Sequence, residues 1–184
     1  NDPKLMQVLL VAAKKDMVMS FGDLIREAGL TPSVVDVDSF AAQNALEANY
    51  DFAGEEVVAI LNIGAEMTNI NIIQAGVPYF TKDLQIGGTT FVEAAQRKFN
   101  LSQAEAAAAV RGESGSSLEL TPVIEQACEG LATALERAQA FLRTSGEAGS
   151  ISRIMLCGGS ALTPGVPEFM QRRFGVATEI ANPL

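Results

Sequence analysis

The chain has 184 residues, 48% hydrophobic and 19% charged, which supports a buried core and excludes a disordered tail, a collagen-like repeat and a coiled-coil rod. Thirteen Lys and Arg against 22 Asp and Glu leave a net charge of −9, so the field of the whole molecule repels nucleic acid and anionic lipid, and neither is expected as a partner. The absence of histidine excludes Ser-His-Asp and Cys-His nucleophile pairs and every His-ligated zinc or iron site drawn from this chain.

From the start of the chain, residues 6–13 (MQVLLVAA) read as a buried strand. Residues 16–28 read as a helix with Val18, Phe21, Leu24, Ile25 and Ala28 on one face, stopped by Gly29. Thr31-Pro32 is a loop, 34–37 a short strand, and 39–48 a second helix capped by Asp38 or Ser39. Three β-rich runs follow at 56–62, 68–74 and 77–84. Turns as short as Gly64-Ala65-Glu66 and Ala75-Gly76 force these runs into an antiparallel meander.

After Ile86-Gly87-Gly88, Thr90-x-x-Glu93 reads as a capping box for a helix with Phe91, Val92, Ala95 and Phe99 on one face. Ser102-x-x-Glu105 opens an alanine-rich helix ending near Gly112, and 113–120 read as a surface loop. Thr121-Pro122 suits a cap and first turn for the longest helix, whose stripe is Ile124, Cys128, Leu131, Leu135, Ala138 and Leu142. That stripe fits a core helix or a coiled-coil seam, and its shortness favours the core. A polar break at 144–150 leads to a buried strand at 154–157, a tight turn at Gly158-Gly159, a helix at 167–173 and a last strand at 176–180.

A meander followed by a helix-connected strand is an α/β arrangement with the topology of an RNase H-like half-domain. The longest apolar runs, 8–13 and 57–61, fall short of the roughly 20 residues of a membrane span, so no direct membrane insertion is expected. Cys128 and Cys157 have apolar neighbours and no CxxC spacing, and read as buried reduced thiols rather than a disulfide. The chain opens on Asn1 without a basic-then-apolar leader, and is expected to be a processed chain or a piece of something longer.

Two glycine-containing turns stand at strand ends, where open sheets hold ligands. In Leu61-Asn62-Ile63-Gly64-Ala65-Glu66-Met67-Thr68 the turn can aim backbone N–H groups at a phosphate, while a strand-end amide or carboxylate reaches a hydrated magnesium. A plain hairpin turn explains the same residues. In Cys157-Gly158-Gly159-Ser160-Ala161 the paired glycines bare the main chain to a planar base or ribose, and Ser160 could hydrogen-bond it. Helix-cap geometry explains that run equally well. Together, about 95 residues apart in a fitting strand order, the two turns say more than either alone.

On these two motifs the sequence resembles the second half of the actin-like ATPases, most closely the FtsA-related PilM family of type IV pilus assembly. Asn62-Ile63-Gly64-Ala65-Glu66-Met67-Thr68 is similar to that family's DIGAExT phosphate motif, and Gly158-Gly159-Ser160-Ala161 to its GGSA adenosine motif. Residues 34–46 resemble the segment joining the two halves. The resemblance implies three regions: 1–31 as the end of the extra subdomain, 32–50 as the joining strand and helix, and 51–184 as the second domain, with an insert at about 88–120.

It also implies ATP or ADP with Mg2+ as ligands, at most a weak ATPase activity, and roles for named residues. Gly64, Ala65 and Glu66 would offer N–H groups to the β- and γ-phosphates, with Thr68 supporting the turn. Gly158, Gly159, Ser160 and Leu162 would line the adenosine pocket. Asn62 would reach the metal through water, and Gln43 would position the attacking water, although an exposed helix Gln is an equal reading. The implied partner is a PilN-type inner-membrane protein bound through its cytoplasmic N-terminal peptide, with other pilus inner-membrane components and self-association as further contacts. The implied location is the cytoplasm, with recruitment to the inner membrane through that partner.

Departures from the pattern matter. The family usually has Asp where Asn62 stands, and an amide brings no charge to a metal. Ala107 and Val110 stand where relatives often carry Glu and Lys near the ribose, leaving Glu105 and Arg111 as polar candidates. The first phosphate motif is absent from these residues. Two alternatives to a nucleotide-binding scaffold therefore stand: an interaction module with a vestigial site, and a small-molecule kinase using Asp36, Asp38 or Glu47 as base.

Overall fold

A computed structural model describes residues 10–113, 119–145 and 149–183. The chain divides into two compact units, Asn1–Val37 and Asp38–Leu184. In the first unit, α1 spans Lys15–Glu27 and stops as the glycine signal predicts: Gly29 takes φ +81°, and the N–H groups of Gly29 and Leu30 donate to Arg26 O and Ile25 O at 2.9 and 3.1 Å. The predicted apolar face is largely exposed, Phe21 and Leu24 by more than half.

Neither predicted strand of this unit forms among the described residues. Residues 10–13 and 34–37 are irregular, with Leu10, Val11, Val34 and Val35 exposed, and 6–9 lie outside the described residues. An apolar run becomes a strand only when another strand supplies its ladder.

In the second unit, α2 (Asp38–Glu47) begins a residue earlier than predicted, so Ser39 lies inside the helix, buried. The meander is β1 (Val57–Ile63), β2 (Thr68–Gln74) and β3 (Val77–Leu84). Then come α3 (Gly88–Phe99), α4 (Gln103–Val110), α5 (Thr121–Ser145), β4 (Ile151–Cys157), a 3-10 turn (Gly159–Leu162), α6 (Val166–Phe174) and β5 (Ala177–Ile180). The sheet order is β3-β2-β1-β4-β5. β1–β2 and β2–β3 are antiparallel, whereas β1–β4 and β4–β5 are parallel. This is the expected α/β half-domain.

Two helix starts show how caps set boundaries. The Ser102 capping box forms as predicted, its N–H and hydroxyl donating to the Glu105 carboxylate at 2.9 and 2.7 Å. In α3, however, the helix opens at Gly88, and Thr90 is the receiver: its Oγ1 accepts from Gly87 N–H at 3.4 Å. Most of the predicted loop at 113–120 lies outside the described residues.

Strand alternation sorts the core into two layers. Val57, Ala59, Leu61, Ile63, Ile70, Ile72, Ile154 and Leu156 face α3, α4, α5 and α6, and the whole predicted stripe of α5 is buried against them. Val58, Ile60, Ile73 and Met155 face the other way, beneath α2 and Phe52. Both parallel strands thus run to the same edge of the sheet and release their loops there.

Candidate functional site

β1 and β4 end side by side, with Asn62 paired to Cys157. The loops that follow are stitched together by the main chain of the first. Gly64 O accepts from the Ser160 hydroxyl at 2.8 Å and from Gly88 N–H at 3.0 Å, and Ala65 O accepts from Thr89 N–H at 2.7 Å. The turn closes on itself through Gly64 N–H to Met67 O at 2.8 Å, and buried Thr68 donates its hydroxyl to Ile86 O at 2.7 Å.

Two glycines are required for this approach. A Cβ at Gly87 would stand 2.7 Å from both Gly64 O and Ala65 O. A Cβ at Gly158, whose φ is +84°, would stand 2.5 Å from Ile63 O and 2.6 Å from Asn62 Oδ1. Either substitution would push the loops apart.

The chemical surface left over is specific. Ala65 and Glu66 are exposed, and among the described residues their N–H groups meet no acceptor. Gly64 differs from its predicted role, because its N–H is spent on Met67 O. Gly158 and Gly159 are exposed, with open space where a Cβ at Gly159 would lie. Leu162, 64% exposed, closes the 3-10 turn beside them. Two free N–H groups beside a bare glycine ledge can take an anion attached to a flat group.

Asn62 is half-buried at the same edge and donates its Nδ2 to Asn69 Oδ1 at 3.0 Å. Among the described residues no group of three or more Cys, Asp or Glu could hold a metal. A magnesium ion here would therefore take one amide oxygen from this chain, through water, and rely on phosphate for its remaining anionic partners, a mode that ion accepts.

Gln43 is not brought to this edge. Its Nε2 donates to Gly76 O and to Glu47 Oε1, each at 2.8 Å, and its Oε1 accepts from Asn71 at 2.9 Å. Gly76 is the turn at the opposite end of β2, and the Gln43 amide is occupied in fastening α2 to the hairpin, which corrects the water-positioning expectation. The remaining polar candidates are also engaged. The Ser102 hydroxyl and N–H hold the Glu105 carboxyl below its ordinary range, and Arg111 pairs with Glu113 at 2.8 Å.

Four residues at this edge have no site role in the sequence reading: Asn69, Asp83, Gly87 and Gly88, the two glycines being read there only as the end of the meander. The available signal is T-N-I-N at Thr68–Asn71, where two asparagines share one face of a strand whose centre is otherwise isoleucine. Both thiols are free. Burial pushes Cys128 up to about 12 and Cys157 to about 11. Among the described residues no helix is long and apolar enough to cross a membrane.

A family model described as type IV pilus assembly protein PilM matches residues 1–184. A solved PilM–PilN type IV pilus biogenesis complex contains a chain 29% identical, with a TM-score of 0.78, over 93% of this chain and 49% of that one. The ethanolamine utilization protein EutJ of Carboxydothermus hydrogenoformans is 20% identical with a TM-score of 0.71, over 92% of this chain and 57% of its own. MreB5 of Spiroplasma citri, solved with AMPPNP bound, is 17% identical with a TM-score of 0.65, over 92% of this chain and 60% of its own. The chain thus spans about half the length of the PilM structure and not much more of the other two.

Proposed function

The chain belongs to the PilM family of type IV pilus assembly proteins, and from that premise we propose that it is the second half of an actin-like scaffold that binds ATP or ADP with Mg2+ between its halves. The observation that carries the reading is the joining of three loops on Gly64 O and Ala65 O, which leaves the Ala65 and Glu66 N–H groups free beside the bare ledge at Gly158 and Gly159. The two N–H groups receive phosphate oxygens, the ledge and Leu162 receive the adenosine, and Ser160 fixes the distance between the two. Magnesium, when bound, neutralises phosphate charge, and Asn62 holds one of its waters by an amide oxygen. An uncharged amide gives weak metal affinity, which suits a nucleotide-sensing scaffold better than a fast phosphotransferase.

Residues 1–31 would then be the end of the extra subdomain and 32–50 the junction between halves. The partner is a PilN-type inner-membrane protein, held through its cytoplasmic N-terminal peptide, which would bring this cytoplasmic protein to the membrane. Nucleotide state would reach that partner as closure of one half on the other.

Full-length protein is expected to bind fluorescent ATP in the presence of magnesium. No binding at millimolar nucleotide would leave a pure interaction module. Asn62→Asp restores a charge and should tighten magnesium-dependent binding roughly tenfold, whereas unchanged affinity would place the phosphate loop elsewhere. Retention of full-length protein on a PilN-type N-terminal peptide tests the partner, and no retention rejects it.

A further inference from the structure

Asn62 ends a row of three polar side chains crossing the sheet. Strand register sets Asn62 opposite Asn69 and Asn69 opposite Asp83. Hydrogen bonds follow the register: Asn62 Nδ2 donates to Asn69 Oδ1 at 3.0 Å, and Asn69 Nδ2 donates to Asp83 Oδ1 at 2.7 Å. The direction of this row is not free. An ionised carboxylate only accepts, so Asp83 requires the amino end of the Asn69 amide. The Asn69 oxygen must then face β1, and an amide oxygen also only accepts, so it requires the amino end of Asn62. The Asn62 oxygen is left on the other side, where a Cβ at Gly158 would lie 2.6 Å away.

Orientation matters here because the strand-end residue is an amide. A carboxylate has two equivalent ends, but an amide has one end that accepts from a metal-bound water and one that repels it. A reversed Asn62 would aim two N–H donors at the loops instead of an acceptor.

We infer that Asn69 and Asp83 are positioning residues, and that Asp83 on the edge strand dictates through Asn69 which end of the Asn62 amide faces the loop at Gly158. The inference rests on the nucleotide-site reading above. It assigns Asp83, two strands away, a role in magnesium-nucleotide affinity without contact with either ligand.

The test uses full-length protein and fluorescent ATP. Asp83→Asn removes the acceptor-only group, so both orientations of the row become accessible, and magnesium-dependent affinity should fall roughly three- to tenfold, with affinity in EDTA nearly unchanged. The same substitution beside Asn62→Ala should change affinity by less than about twofold, because no amide remains there to orient. An equal loss in both backgrounds would mean that Asp83 acts through its charge alone, and would overturn the relay.

A second readout separates this inference from the site reading. In 15N-labelled full-length protein, Asp83→Asn should shift the side-chain amide resonances of both Asn69 and Asn62. A shift of Asn69 with Asn62 unmoved overturns the relay even where nucleotide binds. Parent protein that binds no nucleotide overturns the site reading, and the two amide resonances then still decide the relay.

Discussion

The two faces of the sheet are made by the same strands and do different work. On the face under α3, α5 and α6, the alternate residues of β1, β2 and β4 are aliphatic, and every residue of the α5 stripe is buried among them. On the opposite face, Val58, Ile60, Ile73 and Met155 form a smaller apolar patch. Next to it run two cross-strand polar rows, Asn62–Asn69–Asp83 and Gln43–Asn71–Thr81. Apolar packing is non-directional and mainly stabilises, whereas amide rows add little net energy but allow only one orientation each. The first face therefore holds the fold, and the second sets the direction in which side chains point at the loop edge.

The largest effect should come from the apolar face. Leu135, fully buried at the centre of the α5 stripe, loses both its transfer energy and its packing in Leu135→Ala, at a cost of about 2–5 kcal/mol in urea denaturation. A loss under about 1 kcal/mol would show that this layer relaxes as readily as a surface. On the other face, Asn71 is also buried; its Nδ2 donates to Gln43 Oε1 at 2.9 Å and its Oδ1 accepts from Thr81 at 3.2 Å. Asn71→Leu keeps the branched shape but strands both partners, and should cost about 1–3 kcal/mol. A gain in stability would mean that the row is dispensable to packing and that the faces differ less than their chemistry suggests.

The difference between faces also explains what the sequence could disclose. The meander, its turns and the α5 stripe are local patterns, with periods of two and 3.6 residues that one segment displays by itself. Residues 10–13 and 34–37 have the apolar character of strands, but strand formation depends on a partner elsewhere, which no local pattern contains. At the site, Gly64, Gly158 and Ser160 were legible because glycine turns at strand ends are short motifs. That Gly64 spends its N–H inside its own turn could not be read, because it depends on the turn's geometry. Gln43 was misassigned for a similar reason: its partners lie at Gly76 and Asn71, 33 and 28 positions away. Asn69 and Asp83, opposite each other in the hairpin, reveal a row only once register is known.

The last effect compares the faces through the pH dependence of their thiols. Cys128 is fully buried in the α5 stripe, and burial, aided by the Glu125 and Glu129 carboxylates, pushes its thiol from 9.0 up to about 12. Cys157 packs at the edge of the patch on the second face, and burial alone takes it to about 11. The folded chain then holds these protons more tightly than the unfolded chain, so unfolding releases them above pH 9. Stability from this source is complete below about pH 9 and is lost as pH rises toward 11 and 12, with a limiting slope of about 1.4 kcal/mol per pH unit for one proton. Other groups titrating in that range cancel when the parent is compared with Cys128→Ala. The parent should lose stability faster than the variant between pH 9 and 11 in urea denaturation, and the two should run parallel below pH 9. In the folded parent, Cys157 should react with a thiol reagent before Cys128. Parallel curves throughout, with equal labelling of both thiols, would mean that Cys128 is no drier than Cys157, and the contrast between the faces would fail where it should be strongest.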